Sequence, residues 1–202
     1  MGILVMVMGE SGSGKSCSLR NFKADEIGIF NVASKPLPFR SKLPTINNAN
    51  YEAIYKGIAK GSRKVYIIDD SQYLLAFDFF SRATETGYGK FTDLALNFKN
   101  LLDFVTNETP PDTIVYFLHH TESVAETGKT KAKTIGKMLD EKLTIEGLFS
   151  IVLHANTDGT RYWFETQSNG KTTAKSPMEM FDREIPNDLK QVDKKIREYY
   201  EL

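Results

Sequence analysis

Residues 3–22 read Ile3-Leu4-Val5-Met6-Val7-Met8-Gly9-Glu10-Ser11-Gly12-Ser13-Gly14-Lys15-Ser16-Cys17-Ser18-Leu19-Arg20-Asn21-Phe22. The stretch begins with an unbroken apolar run as long as a strand, and a glycine-rich turn follows directly. A lysine, a serine and a short segment that can continue as a helix come next. A buried strand that leads through such a turn into a helix predicts a loop that binds phosphate.

The spacing Gly9-x4-Gly14-Lys15-Ser16 fits the P-loop pattern. Its glycines allow successive backbone N–H groups to point into one concavity, where an anion can bind. We expect the Lys15 ammonium to reach the β- and γ-phosphate oxygens and the Ser16 hydroxyl to take one position around Mg²⁺. The expected nucleotide-binding residues are Gly9, Glu10, Ser11, Gly12, Ser13, Gly14, Lys15, Ser16 and Cys17.

Two other interpretations of this stretch are weaker. A Gly/Ser turn between a buried strand and a helix needs no ligand, but the pattern arises by chance in roughly one 200-residue chain in a hundred. A dinucleotide fingerprint is excluded because Cys17 stands where its third glycine belongs. The P-loop is therefore the favoured interpretation.

Composition sets broader limits. At 202 residues and 41% hydrophobic content, the chain suits one core, and we expect a single α/β P-loop NTPase domain over residues 1–202. The 26 basic and 26 acidic side chains cancel, so contact with nucleic acid or membrane must come from a local patch. A single cysteine, an N-terminus without signal-peptide features and the lack of a bilayer-length apolar run predict a cytoplasmic protein with no membrane partner.

A second apolar run ends in acids: Val65-Tyr66-Ile67-Ile68-Asp69-Asp70. A buried parallel strand of this kind delivers carboxylates to the edge of a sheet. After a P-loop, Asp69 is expected to hold Mg²⁺ and Asp70 to orient or deprotonate the attacking water, with Gln72 as another candidate for positioning that water. The alternative is that both aspartates only cap the next helix.

A third buried strand, residues 113–118, ends in His119 and His120. Catalytic groups gather at the carboxyl ends of strands in open α/β sheets. His119 or His120 is therefore expected to sense the γ-phosphate or to hydrogen-bond near Asp70, and His119 is our first choice; the alternative is ordinary capping. A zinc site is not expected, because His154 alone, without a second cysteine, does not complete a ligand set.

The only dense basic run lies within residues 126–137 and contains Lys129, Lys131 and Lys133. Alternate lysines in a polar loop can contact the phosphates of single-stranded DNA with salt-dependent affinity. A solvated loop has the same composition, so both interpretations stay open.

The remaining patterns place the other elements. A strand is expected at 27–32, an exposed excursion at 33–50, and helices at 51–60, 72–82, 91–106 and 138–148. A strand at 149–154 is followed by a hairpin partner at 160–167, and an amphipathic helix closes the chain at about 187–201.

Together, the P-loop, the Asp69-Asp70 strand end, the His-ended strand and the hairpin followed by Lys175-Ser176-Pro177 resemble the compact RecA-like ATPases of bacteriophages. The nearest group is the phage ATPases associated with single-strand annealing recombination. The resemblance implies a mostly parallel central sheet flanked by helices, with an antiparallel C-terminal hairpin. It also implies ATP and Mg²⁺ as cofactors, and a ring or filament of identical subunits.

The same resemblance implies further partners and residue roles. Single-stranded DNA and a phage single-strand-binding protein are the implied partners, in the cytoplasm of the host cell. Lys175 would reach into the neighbouring subunit's nucleotide, with Arg183 as second choice. The catalytic glutamate of many RecA-like proteins has no match, since Glu52 lies in a helical pattern.

The sequence thus favours a Mg²⁺-dependent ATPase that couples ATP hydrolysis to single-stranded DNA in phage recombination or replication. A small P-loop kinase, with residues 129–137 as its cationic lid, is one alternative. A nucleotide-switched binding module with little turnover is another. A GTPase is not favoured, because no Asn-Lys-x-Asp motif occurs.

Overall fold

The apolar run at the start of the chain forms β1 (Ile3–Gly9), the strand from which the glycine-rich loop extends. The computed structural model describes residues 1–136 and 138–202. Four consecutive residues of β1, Val5 to Met8, are fully buried. The run is continuous rather than alternating because both faces of the strand are covered.

The other strands and the helices follow in chain order. The strands are β2 (Ile27–Asn31), β3 (Thr45–Asn47), β4 (Val65–Asp69), β5 (Ile114–Ser123), β6 (Thr130–Ala132), β7 (Ile151–Thr157), β8 (Tyr162–Glu165) and β9 (Glu184–Pro186). The α-helices are α1 (Tyr51–Ala59), α2 (Gln72–Ser81), α3 (Gly89–Glu108) and α4 (Leu189–Tyr200).

The strands form one mixed sheet in the order β3-β2-β4-β5-β1-β7-β8-β9, and β6 pairs with β5. From β3 to β7 all neighbours are parallel, whereas β8, β9 and β6 pair antiparallel. The α/β class and the antiparallel hairpin of β7 and β8 are confirmed. The mostly parallel sheet is confirmed for the central strands, while its flank is antiparallel.

Helices cover both faces of the sheet. One core contains α1, α2 and α3 packed on one face of β1, β4 and β5, and the other contains α4 and Phe22 packed on the opposite face. In α4, Leu189, Val192 and Ile196 are buried, which matches the predicted amphipathic helix. Within the described residues, no helix is both long and apolar enough to cross a bilayer.

The sequence prediction for residues 138–148 is wrong. The helix expected at 138–148 is a π-helical turn (Met138–Leu143) followed by a 3₁₀ turn (Ile145–Leu148). The break lies at Thr144, whose φ of +52° is left-handed and cannot continue a right-handed helix. The excursion at 33–50 also contains an ordered edge strand, β3, which pairs parallel with β2.

Candidate functional site

The loop after β1 requires its glycines for two different reasons. Gly12 and Gly14 have φ values of +84° and +89°, which L-residues with a side chain adopt only with strain. A Cβ on Gly9 would lie 2.5 Å from Ser13 Oγ, and a Cβ on Gly14 would lie 2.7 Å from Tyr162 Cδ1. The glycine spacing therefore reflects the folded geometry of the loop.

Lys15 folds back over this loop and is only 6% exposed. Its ammonium donates to the carbonyl oxygens of Gly9 at 2.7 Å and Glu10 at 2.8 Å. Burial lowers the pKa of Lys15 to about 8, and the nearby carboxylates of Asp70 and Asp69 act against that shift. The loop thus holds a buried cation directly beneath its glycines.

Ser16 joins the loop to the acidic strand end. Its hydroxyl donates to Asp69 Oδ1 at 2.8 Å, across 53 residues of sequence. Burial raises the pKa of Asp69, and the hydrogen bond from Ser16 opposes this. The two oxygen ligands predicted for a metal ion are therefore adjacent.

Asp70 lies in a left-handed conformation with φ +60°, which aspartate tolerates better than most residues. Its two carboxylate oxygens accept from different donors, Lys35 Nζ at 2.7 Å and His120 Nε2 at 3.0 Å. Burial acts to raise the pKa of Asp70, but the hydrogen bonds from His120 and Lys35 outweigh it and the pKa lies below its usual value. Asp70 is therefore held as an ion-paired carboxylate.

These groups surround one cavity of about 230 Å³. One end is charged and carries Lys35, Asp70 and His120, and Tyr162 and Cys17 also contribute to the wall. The volume is below the roughly 300 Å³ at which pockets for whole small molecules begin. The cavity is therefore of a size for a phosphate chain, with the rest of a nucleotide outside it.

The helix expected after the loop is much shorter than the pattern suggested. Only a four-residue 3₁₀ turn, Ser16–Leu19, follows Lys15. The Ser18 hydroxyl donates to the Lys15 carbonyl and competes with helical backbone bonding there. An anion in this loop would consequently be held by local N–H groups and Lys15 rather than by the dipole of a long helix.

His119 does not reach the cavity. Its ring is fully buried, donates from Nε2 to the carbonyl of Lys133 at 2.9 Å and lies 2.9 Å from Ser71 Oγ at Nδ1. Burial lowers the pKa of His119 to about 4, so the ring is neutral at pH 7. His119 therefore does not line the cavity, and His120 is the histidine that bonds Asp70.

Lys175, Gln72 and Arg183 are the other residues with an expected role in catalysis. Lys175 is half-buried, and its backbone exchanges two hydrogen bonds with Val152. Val152 pairs with Met6, three residues and about 10 Å before the end of β1. Gln72 is buried and Arg183 is exposed. In the described part of the chain, none of the three lines the cavity.

The basic run is partly ordered as a hairpin formed by β5 and β6. Lys129 and Lys133 are exposed, whereas Lys131 lies 3.5 Å from Glu122. Lys137, the last lysine of the run, lies outside the described residues. The hairpin extends β5 at the same sheet edge as the glycine-rich loop, because β1 and β5 are parallel and Gly9 pairs with His120.

Sequence reasoning missed Lys35 and Tyr162. Lys35 lies in the proline-containing excursion, where no periodicity marked it, and only the Lys35-Pro36 dipeptide hints at a fixed backbone. Tyr162 begins β8 and packs on Gly14. The guanidinium of Arg161 lies 4.3 Å from the ring centroid of Trp163, the residue after Tyr162.

The donor set fits a hard divalent cation and phosphate. Within the described residues, no group of three or more His, Cys, Asp or Glu side chains could hold a metal ion. Mg²⁺ commonly takes one or two protein oxygens and completes its octahedral shell with water and phosphate. The Ser16 and Asp69 oxygens meet that requirement.

No protein-family model matches the chain, and no curated protein sequence matches it. The function is therefore inferred from the geometry of the site.

Proposed function

We propose that the chain is a Mg²⁺-dependent ATPase of the RecA-like class. The observation that carries the proposal is the 2.8 Å hydrogen bond between Ser16 and Asp69 beside the buried ammonium of Lys15. Two sequence motifs with separate expected roles thus meet at one cavity. A plain structural turn does not require a lysine, a serine and a carboxylate to converge in this way.

Each residue has a distinct role in the proposal. The loop N–H groups and Lys15 bind the phosphates, while Ser16 and Asp69 hold the metal ion. Bound Mg²⁺ neutralises phosphate charge and orients the transferred group. Asp70 and His120 lie where the terminal phosphate is expected and position the attacking water.

A second candidate function is a nucleotide-switched binding module with little turnover. The observation that favours it is the pairing of Asp70 with both Lys35 and His120. Because these contacts lower the pKa of Asp70, its carboxylate is a weak base. Slow hydrolysis in the presence of tight nucleotide binding would support this candidate over the ATPase.

Binding is tested by titrating the protein with ATP, with and without Mg²⁺, and comparing Lys15→Ala with Lys60→Ala. Lys60 is an exposed residue at the end of α1 and serves as the charge-matched control. We expect Lys15→Ala to abolish binding and Lys60→Ala to leave it unchanged. Asp69→Asn should reduce the Mg²⁺ dependence, and equal binding by all variants would contradict the proposal.

The proposal also includes a coupling between ATP hydrolysis and single-stranded DNA. The resemblance to phage ATPases, and the exposed Lys129 and Lys133 near the site, support single-stranded DNA as a partner in recombination or replication. A homo-oligomeric ring or filament, a phage single-strand-binding protein and the host cytoplasm rest on the resemblance alone. ATP turnover measured with and without single-stranded DNA tests this coupling, and an unchanged rate argues against it.

A further inference from the structure

The backbone that carries Lys35 is fixed on both sides. Ser34 has φ +55° and exchanges hydrogen bonds with Asn48, donating to Oδ1 at 2.8 Å and accepting from the backbone N–H at 2.6 Å. Asn31 Nδ2 donates to the carbonyl of Lys35 at 2.7 Å. The ring of Pro36 fixes its own φ and also restricts the backbone of the preceding residue, Lys35. The structure therefore presents Lys35 at the cavity from an anchored segment.

The ion pair between Lys35 and Asp70 is weak enough for Lys35 to exchange Asp70 for another partner. Its ammonium lies 2.7 Å from Asp70 Oδ2, yet the Lys35 side chain is 57% exposed. Ion pairs with one such exposed partner are weak because water screens them. Asp70 also keeps its second donor, His120, so loss of Lys35 does not leave the carboxylate without a partner.

Lys35 is placed for the far end of a bound phosphate chain. Among the described residues that line the cavity, Lys15 and Lys35 are the lysines, and no arginine is present. Lys15 belongs to the loop after β1, whereas Lys35 follows β2, the neighbour of β4 that ends in Asp69. Lys35 therefore lies on the side of the acidic strand end, where we expect a chain of phosphates that starts in the glycine loop to end.

We propose that Lys35 binds the terminal phosphate of a nucleoside triphosphate in its own subunit, leaving Asp70 when that phosphate arrives. The proposal rests on the proposed nucleotide binding and extends it, because it assigns the discrimination between triphosphate and diphosphate to a cation in the same chain. A doubly charged terminal phosphate attracts the ammonium more strongly than the carboxylate does. A diphosphate ends before this position and leaves the Lys35–Asp70 pair intact.

The test compares the affinities of Mg²⁺-ATP and Mg²⁺-ADP by calorimetry for the wild type, Lys35→Met and Lys42→Met. Lys42 is an exposed lysine in the same excursion and is the matched control. We expect Lys35→Met to weaken ATP binding by at least about tenfold and ADP binding by less than about twofold, as loss of one charged hydrogen bond implies. Lys42→Met should change neither, and Lys35→Arg should restore part of the preference for ATP.

Equal effects of Lys35→Met on ATP and ADP, or no effect on either, would overturn the assignment of Lys35. If Lys15→Ala still abolishes binding of both nucleotides in that case, the proposed function stands and only Lys35 is wrong. If the wild type binds neither nucleotide, the proposed function itself fails.

Subunit mixing tests whether Lys35 acts within its own chain. A mixture of Lys35→Met with Lys15→Ala should show no more turnover than the separate variants, because neither chain has both lysines. Activity above that sum would place Lys35 across an interface and contradict the proposal. The same mixture made with Lys175→Ala tests the expected role of Lys175 in a neighbouring subunit.

Discussion

Lys15 shows how burial tunes a single residue in this site. Its ammonium is shielded from solvent and, within residues 1–136 and 138–202, bonds only to carbonyl oxygens, so the charged form is less stable than in water. The pKa of about 8 lies close to physiological pH. Phosphate binding by this residue should consequently depend on pH in a range where ordinary lysines do not titrate.

We predict that Mg²⁺-ADP binding weakens above pH 8. Below this pKa Lys15 is charged and attracts phosphate, and above it the neutral amine does not. The dissociation constant should rise by up to about tenfold per pH unit, as measured by calorimetry between pH 7 and pH 10. Lys15→Arg, which stays charged, should bind with a flatter profile. A wild-type profile that is flat across this range would contradict the role of Lys15.

The glycines of the loop provide a matched pair of substitutions. Gly12→Ala and Gly14→Ala both place a side chain at a left-handed φ, at a cost of roughly 1–2 kcal/mol. Only Gly14→Ala also brings a Cβ to within 2.7 Å of Tyr162, since the space beside Gly12 is open. We expect the larger loss of thermal stability in Gly14→Ala, and Tyr162→Ala in the same chain should recover part of it. Equal losses for the two glycine variants would show that Tyr162 does not restrict the loop.

Among the secondary-structure elements, the sequence predicts best those with a long apolar pattern. The apolar pattern predicts both the buried strand Val65–Asp69 and the terminal helix Leu189–Tyr200. β3 was missed because its three residues include only one apolar side chain, Ile46, which is itself exposed. Short edge strands depend on a neighbour for hydrogen bonds, and their own sequence does not show that neighbour.

The two histidines within β5, His119 and His120, illustrate the same limit. Adjacent residues of a strand point to opposite faces, so the rings of His119 and His120 must lie in different surroundings. The His119 ring lies 6.0 Å from that of Phe98 on α3, and the position of α3 is a tertiary property. The contact of Lys35 with Asp70 is likewise set by the path of the excursion after β2, which periodicity does not describe.

The hairpin of β5 and β6 gives an element-scale prediction. Lys129 and Lys133 are exposed, while Lys131 already has Glu122 as a neighbour. If the hairpin binds single-stranded DNA, Lys129→Ala with Lys133→Ala should reduce the slope of log affinity against log salt by about 1.4, or 0.7 for each lost phosphate contact. Filter binding of an oligothymidine at several salt concentrations measures this slope. The control is Lys42→Ala with Lys60→Ala, and an identical slope in both double variants would exclude the hairpin.

At the scale of the whole molecule, β5 separates β1 from β4. The loop after β1 must therefore cross β5, where Gly9 pairs with His120, before Ser16 meets Asp69. β5 supplies both His120 to the cavity and, through His119, the attachment of the β5–β6 hairpin at Lys133. The composition and motifs predicted the class of the fold, but this strand order, which brings the site together, emerges only from packing.

Buried His119 predicts a loss of global stability in acid. Its pKa is about 4 in the folded chain and near 6.5 when unfolded, so the unfolded state binds more protons between these values. Stability therefore falls as pH decreases from about 6.5 to 4, by roughly 2 kcal/mol between pH 7 and pH 5 from this residue. Urea unfolding at both pH values measures the effect. His119→Asn should lose that part of the pH dependence, His120→Asn should retain it, and an unchanged dependence in His119→Asn would contradict this origin.

The stacking of Arg161 on Trp163 has a practical consequence, because the chain contains one tryptophan. Tryptophan fluorescence therefore reports on one position, Trp163 in the β7–β8 hairpin. The residue before it, Tyr162, packs on Gly14. A rearrangement within this hairpin that moves Arg161 away from Trp163 would change the surroundings of the indole and shift its emission. We therefore expect ligand binding at the glycine loop to be detectable by tryptophan fluorescence on unlabelled protein if it rearranges the hairpin, with Arg161→Ala as the optical control.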